Sequence, residues 1–253
     1  MSVDKINVDK RIADVGIVTV DTEGAYDNAV LDKKAFILLR RNGLGGSDSS
    51  VFLNVNPYKT VEDLIEDKCM THVTPMELAV GEKVNVRKGA DLEPLILQKF
   101  SDWSGEEVFK PHTMFRFKDP SCLTINFDGV VFKEDVQFPV EAKYVSTFAD
   151  KYWDPSKALA HYCAPNSPIL PGGPLYHHIL TAAQMYGIPP YYYTQLQQEM
   201  MGLNAPYGYL AALFDRDWML RTYRVYKDEC VQAALKMEGS RVWAEIQKKK
   251  GSV

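Results

Sequence analysis

Asp128, Glu141 and Lys143 lie in the stretch LTINFDGVVFKEDVQFPVEAKYV, residues 123–145. Its period of two predicts two β-strands joined by a short polar turn. In the first arm Leu123, Ile125 and Phe127 share one face, and Thr124, Asn126 and Asp128 share the other. In the second arm Phe138, Val140, Ala142 and Tyr144 form the apolar face, opposite Pro139, Glu141, Lys143 and Val145. Pairing of the two strands brings Asp128, Glu141 and Lys143 onto one surface. Two carboxylates and an amine are costly to bury unpaired. A hard divalent cation relieves that cost: Mg²⁺ takes carboxylate oxygens, keeps several waters and is completed by substrate phosphate. An amine two residues from a metal ligand can orient a water or help deprotonate it. That is equipment for hydrolysing a phosphodiester. The plain alternative is a solvated strand face with a Glu/Lys pair, since an isolated E-x-K is common.

The elements around this pair must position it. AFILLRRNGLGGSDSSVFLNV reads as an apolar segment, a Gly-rich turn and a helix start, with Ser47 or Asp48 available as cap. A Gly-rich turn running into a helix N-terminus offers backbone N–H groups to an anion, and Arg40 or Arg41 adds a bidentate phosphate contact. Thr60 and Asp63 are spaced as a capping box for a second short helix. Leu92, Leu95, Ile96, Phe100 and Trp103 recur at helical spacing, with Gly105 as a stop. Pro94 disfavours helical geometry at Glu93, which places Glu93 at a kink or at the helix start. DPSKALAHYCAPNSPILPGGPL, residues 154–175, reads as a long loop. Helices over LYHHILTAAQMYG and PPYYYTQLQQEMMGLN follow, then two strands and a closing amphipathic helix with a basic tail. The sum is one α/β domain, a central mixed β-sheet flanked by helices. Residues 35–253 form it, and residues 1–34 form an arm holding a leading strand, VGIVTV.

Composition narrows the class. The chain has 253 residues, 46% hydrophobic and 25% charged, which fits one large globular domain. The expectation is a cytoplasmic protein, because no apolar run reaches membrane length and no signal core opens the chain. The net charge of -4 means that contact with nucleic acid must come from local clusters, such as Arg40/Arg41 and Lys83/Arg87/Lys88. Cys69, Cys122, Cys163 and Cys230 have no C-x-x-C spacing and are expected as buried free thiols. His161, His177 and His178 are expected at the surface.

RRNGLGGSDSSVFLNVNPYKT, GADLEPLILQKFSDWSG, NFDGVV, VEAK and PPYYYTQLQQEM stand in this order along the chain. Together they resemble the YqaJ-type viral recombinase nucleases, which are related to phage lambda exonuclease. The resemblance runs from about residue 35 to the end. It implies the PD-(D/E)XK restriction-endonuclease-like core. It implies Glu93, Asp128 and Glu141 as metal-binding carboxylates and Lys143 as the catalytic lysine. Gln197 resembles the motif glutamine that fixes the site, with Gln195 as its rival. Arg40 and Ser47 resemble the pocket for a terminal 5′-phosphate.

The activity implied is Mg²⁺-dependent, with two ions expected and Mn²⁺ as a substitute. It is 5′-to-3′ resection of double-stranded DNA ends, leaving 3′ single-stranded tails for a single-strand annealing recombination protein. A ring-shaped homotrimer is implied as well. Two alternatives stand beside it: a structure-specific or nicking endonuclease on the same core, and a catalytically silent DNA-binding subunit. The long loop and the N-terminal arm depart from the family pattern.

Overall fold

Runs of alternating or continuous apolar residues build two sheets, and helices pack on them. The computed structural model describes residues 12, 17–19, 33–80, 83–153 and 173–251. From the N-terminus, β1 (Ile17–Thr19) precedes α1 (Lys33–Arg40), a helical turn at Gly46–Asp48 and α2 (Ser49–Phe52). Then come α3 (Val61–Cys69), α4 (Pro75–Val80) and the long α5 (Val84–Ser104). β2 (Val108–Phe109), β3 (Phe115–Phe117), β4 (Thr124–Ile125), β5 (Gly129–Lys133) and β6 (Val136–Val145) follow. α6 (Pro174–Tyr186) and α7 (Pro190–Leu203) lead to β7 (Tyr207–Phe214), β8 (Leu220–Tyr226) and α8 (Glu229–Lys250).

The main sheet runs β2–β5–β6–β7–β8. It is mixed: β6 and β7 are parallel, and the other neighbours are antiparallel. A smaller antiparallel sheet runs β1–β3–β4. The expected α/β architecture is therefore present, with helices on both faces of the central sheet. Phe100 of α5 packs on Tyr209, the register partner of Val140. On the opposite face, Leu196 and Met200 of α7 press on Gly208 beside Pro139. A Cβ at Gly208 would meet these three side chains at 3.0–3.1 Å, so the absent side chain lets helix and sheet approach.

Several expectations change in detail. Residues 123–128 do not form one strand. β4 pairs with β3, β5 pairs with β6, and the chain changes sheets across residues 126–128. Asp128 sits at that crossing, immediately before β5. The β5–β6 hairpin turns on Glu134 and Asp135, with Glu134 at φ 52°. Glu93 lies in the interior of α5, nine residues past its start, with Pro94 accommodated in the helix. Ser47 and Asp48 lie in the helical turn, and Asp48 stands at the N-cap position of α2 without a side-chain bond to that helix; its Oδ2 instead accepts from the Gly45 N–H at 2.9 Å. Thr60 and Asp63 do form the capping box of α3. Gly105 ends α5 in the left-handed region at φ 71°. α6 starts at Pro174, inside the segment read as loop; residues 154–172 lie outside the described residues. Of the cysteines, Cys122 is buried, Cys69 half-buried and Cys230 exposed, while Cys163 lies outside the described residues.

Candidate active site

α7 explains why the site is ordered. It is almost wholly buried yet carries Thr194, Gln197, Gln198 and Glu199 among its buried residues. Buried polar groups must find partners, and each of these ties α7 to a different element. Thr194 Oγ1 accepts from Ser49 Oγ at 3.0 Å. Gln198 Nε2 donates to the Leu44 and Thr124 carbonyls, both at 3.0 Å. Gln197 Nε2 donates to the Tyr226 carbonyl at 2.9 Å, and its Oε1 accepts from Asp228 N at 2.9 Å. Gln197 thus anchors the β8–α8 junction and does not line the site. Gln195 does: its Nε2 donates to Glu141 Oε1 at 2.5 Å and to Glu199 Oε1 at 3.2 Å.

Residues brought in by β4, the β4–β5 crossing, β6, α7 and the Gly-rich turn line one cavity of about 220 Å³. Asp128, Glu141, Lys143, Gln195 and Glu199 line one part of it, and Arg40, Gly45, Gly46 and Ser47 another. Asp128 is held across the hairpin by the Ala142 N–H, which donates to its Oδ2 at 3.0 Å. Lys143 Nζ contacts Glu141 Oε1 directly and stands 3.8 Å from Asp128 Oδ2. It also lies over the Tyr192 ring, 5.4 Å from the centroid.

Burial shapes the electrostatics. Glu141 is 0% exposed. Loss of hydration, reinforced by the Asp128 charge, pushes its carboxyl up to about 7, against the opposing pull of Lys143. Burial and the Glu141 and Asp128 charges also hold Glu199 well above the usual carboxylate range. A protonated Glu199 can then donate to Glu141. For Lys143, burial alone would lower the pKa; the two facing carboxylates overcome it and hold the ammonium well above its ordinary value. Lys143 is therefore a fixed cation in this state rather than a ready proton acceptor. Glu93 is raised by burial and then by the Asp128 charge, with Lys110 and Lys143 opposing. Its carboxylate is engaged by Lys110 Nζ from just beyond β2.

The donor set fits a hard divalent cation at Asp128 and Glu141. Both offer carboxylate oxygens. Glu141 Oε2 is buried and has no hydrogen-bond partner, an orphan that a cation would satisfy. Among the described residues, no group of three or more His, Cys, Asp or Glu side chains is gathered closely enough to hold an ion. Glu93 does not complete such a group while Lys110 holds it.

The Gly-rich turn is sewn to β4. Leu44 N donates to the Cys122 carbonyl at 2.7 Å, and Thr124 N to the Leu44 carbonyl at 2.9 Å. Beneath it, Lys68 Nζ bonds Asp48 Oδ2 at 2.7 Å and the Arg40 carbonyl at 2.8 Å. Burial would raise Asp48, but the Lys68 and Arg40 charges outweigh it and lower its pKa. Above the turn, Arg40 Nη2 donates to Ser47 Oγ at 2.6 Å. Arg41 does not join this cavity. It is 4% exposed, and its guanidinium is taken by Glu77, Asp67 and the His72 carbonyl. The residue-by-residue expectations therefore divide: Arg40, Ser47, Asp128, Glu141, Lys143 and Gln195 meet, Glu93 stands at the margin, and Arg41 and Gln197 face elsewhere. Glu199 and Lys110 were missed. Glu199 was findable, because it lies four residues from Gln195 on one helix face; Lys110 carries no local signal.

The architecture resembles solved nucleases. The alkaline exonuclease of Laribacter hongkongensis superposes with a TM-score of 0.57 at 16% identity, covering 86% of this chain and 94% of that one. The phage related exonuclease of Haemophilus somnus 129PT gives 0.51 at 9% identity, covering 83% and 96%. At these identities the likeness shows a common fold. An uncharacterized protein, YqaJ of Bacillus subtilis strain 168, is 27% identical over 135 residues, which span 53% of this chain and 40% of that protein. Residues 35–202 match the YqaJ-like viral recombinase domain, and the chain belongs to that family.

Proposed function

We propose that the protein is a Mg²⁺-dependent exonuclease that resects double-stranded DNA ends 5′ to 3′, leaving 3′ single-stranded tails for an annealing recombination protein. The family together with the exonuclease fold supports a DNA nuclease, and nucleases of this type are generally metal-dependent. A solved complex of the Laribacter enzyme with dAMP supports DNA as the substrate here.

One observation carries the reading: the carboxylate–lysine cluster and the Arg40–Ser47 turn line the same cavity. A phosphate received at the turn lies beside the groups that can cut the strand it terminates. Arg40 supplies charge-assisted donors, and Ser47 with the Gly45–Gly46 backbone supplies neutral ones. Asp128 and Glu141 would hold the divalent cation, which supplies Lewis-acid stabilisation of phosphoryl charge and a lowered pKa for water. Gln195 fixes the Glu141 carboxylate. Lys143 presents positive charge to the oxygens on which negative charge develops. Arg87 and Lys88, with Val84 and Asp91, line a second cavity of about 280 Å³ at the start of α5, a place for duplex phosphates. The proposed assembly is a homotrimeric ring, which light scattering in solution would test.

The decisive assay uses linear duplex labelled at either the 5′ or the 3′ terminus, with and without a 5′-phosphate, beside a covalently closed circle. The proposal expects early release of the 5′ label, faster with the phosphate, and an intact circle. Cutting of the circle favours the endonuclease alternative. Release of the 3′ label first overturns the polarity.

A further inference from the structure

A ladder of aromatic rings leads away from Lys143. Its ammonium faces Tyr192 at 5.4 Å. Tyr192 meets Tyr191 edge-on with centroids 4.4 Å apart, and Tyr191 meets Tyr58 at 6.1 Å and 61°. Trp153 backs Tyr192 at 5.5 Å. The Tyr58 hydroxyl bonds with those of Tyr191 and Tyr152. Tyr191 and Tyr192 precede Gln195 by four and three residues on α7, so the ladder and the site share one helix face.

The outer rung is unusual. Tyr58 is 66% exposed, yet it is not on a loose loop. Asn56 Oδ1 accepts from the Tyr58 and Lys59 N–H groups at 2.9 and 3.1 Å, and Asn56 Nδ2 donates to Ser50 Oγ at 2.8 Å. The turn is therefore pinned to α2, and an aromatic face is presented to water in a fixed orientation. The neighbouring cation, Lys59, is turned to Asp67 and paired with it at 2.7 Å. Such a surface suits a flat, uncharged π-system rather than a phosphate.

We infer that the Tyr58–Tyr191–Tyr192 ladder is a stacking site for an unpaired nucleobase of the strand being cut, next to the phosphate that Lys143 faces. The inference rests on the nuclease reading above. It commits to a base because Tyr192 adjoins Lys143, which lines the catalytic cavity, so a strand held there passes beside the ladder. The site takes any base, since stacking uses the ring face and not a hydrogen-bond code. Tyr58 closes the ladder on its outer side, and its loss removes that outer ring without touching the carboxylates.

The test uses the intact protein and a linear duplex with 2-aminopurine as the terminal nucleotide of the degraded strand, bound in Ca²⁺. Binding should quench the fluorescence. Tyr58→Phe should keep the quench, and Tyr58→Ala should lose it while the duplex, followed by anisotropy, still binds with affinity lowered about tenfold. In Mg²⁺, an abasic terminal nucleotide should lower kcat/KM of the wild-type protein about tenfold, a discrimination that Tyr58→Ala should lack. The abasic comparison needs no variant. Equal quenching in wild type and Tyr58→Ala, or no discrimination by wild type, overturns the stacking site while ordinary cleavage leaves the nuclease reading standing. Failure of wild type to degrade the unmodified duplex in any divalent cation overturns the nuclease reading itself.

Discussion

At the residue scale, the buried carboxylates are maintained at a cost to stability. An ordinary glutamate titrates near 4.5, whereas folding lifts Glu141 to about 7. Between those values the folded chain holds a proton that the unfolded chain has released. Stability of the metal-free protein therefore falls as pH rises through that window, by on the order of 3 kcal/mol for this group. Thermal melts in chelator should show the wild type more stable at pH 5 than at pH 8, and Glu141→Gln should flatten that slope and raise the melting temperature at pH 8. An unchanged slope would mean that Glu141 is ionised or solvated throughout. The same substitution should abolish turnover. Lys143→Ala removes the cation that compensates Asp128 and Glu141. It should cost about 10²–10³-fold in kcat and destabilise the metal-free chain at pH 8, where the two carboxylates then face each other unscreened. Retention of full activity by Lys143→Ala would remove the lysine from the chemistry.

At the element scale, α7 does two jobs from two faces. Gln195→Leu should lower activity with a smaller change in melting temperature, because its amide bonds only the site carboxylates Glu141 and Glu199. Gln197→Leu should do the reverse, since it leaves the Tyr226 carbonyl and the Asp228 N–H without their partner, a loss of about 1–3 kcal/mol. Parallel melts and end-release assays on the two variants separate these roles. The Gly-rich turn offers a similar check. A Cβ at Gly43 would stand 2.5 Å from Thr124 Cγ2 and 3.1 Å from the Cys122 carbonyl, so Gly43→Ala should push the turn off β4. Here the sequence was legible where period and caps speak locally: the β5–β6 hairpin, the α3 capping box, the α5 and α7 helices and the Gly105 stop. The face alternation of β6 placed Glu141 and Lys143 correctly on one surface. What stayed hidden depends on distant partners. Arg41 and Arg40 are adjacent and chemically identical, and only the arrival of Glu77 and Asp67 from α4 and α3 diverts one of them. Gln195 and Gln197 are two residues apart on a helix, hence about 200° apart, and nothing local says which side meets the carboxylates. The break between β4 and β5 arises because the chain changes sheets, which no periodicity within residues 123–133 reveals.

At the scale of the whole molecule, a chain of net charge -4 must gather its positive potential locally to hold DNA. Arg40, Lys83, Arg87 and Lys88 are the exposed cations proposed for that task. Four phosphate contacts give a salt slope near -3.6, so affinity for duplex in Ca²⁺ should fall on the order of 10²-fold between 50 and 200 mM salt. A flat response by fluorescence anisotropy would place the binding energy elsewhere. No helix among the described residues is long and apolar enough to cross a membrane. The account as a whole depends on the meeting of two carboxylates from a hairpin with a divalent ion under the control of Gln195 and Lys143. Anomalous diffraction from crystals soaked in Mn²⁺ tests that directly. The account predicts a manganese peak within coordination distance of both Asp128 and Glu141, inside the cavity that Arg40 and Ser47 also line. A peak elsewhere, or none at these carboxylates while the soaked crystals still cleave DNA, would contradict it.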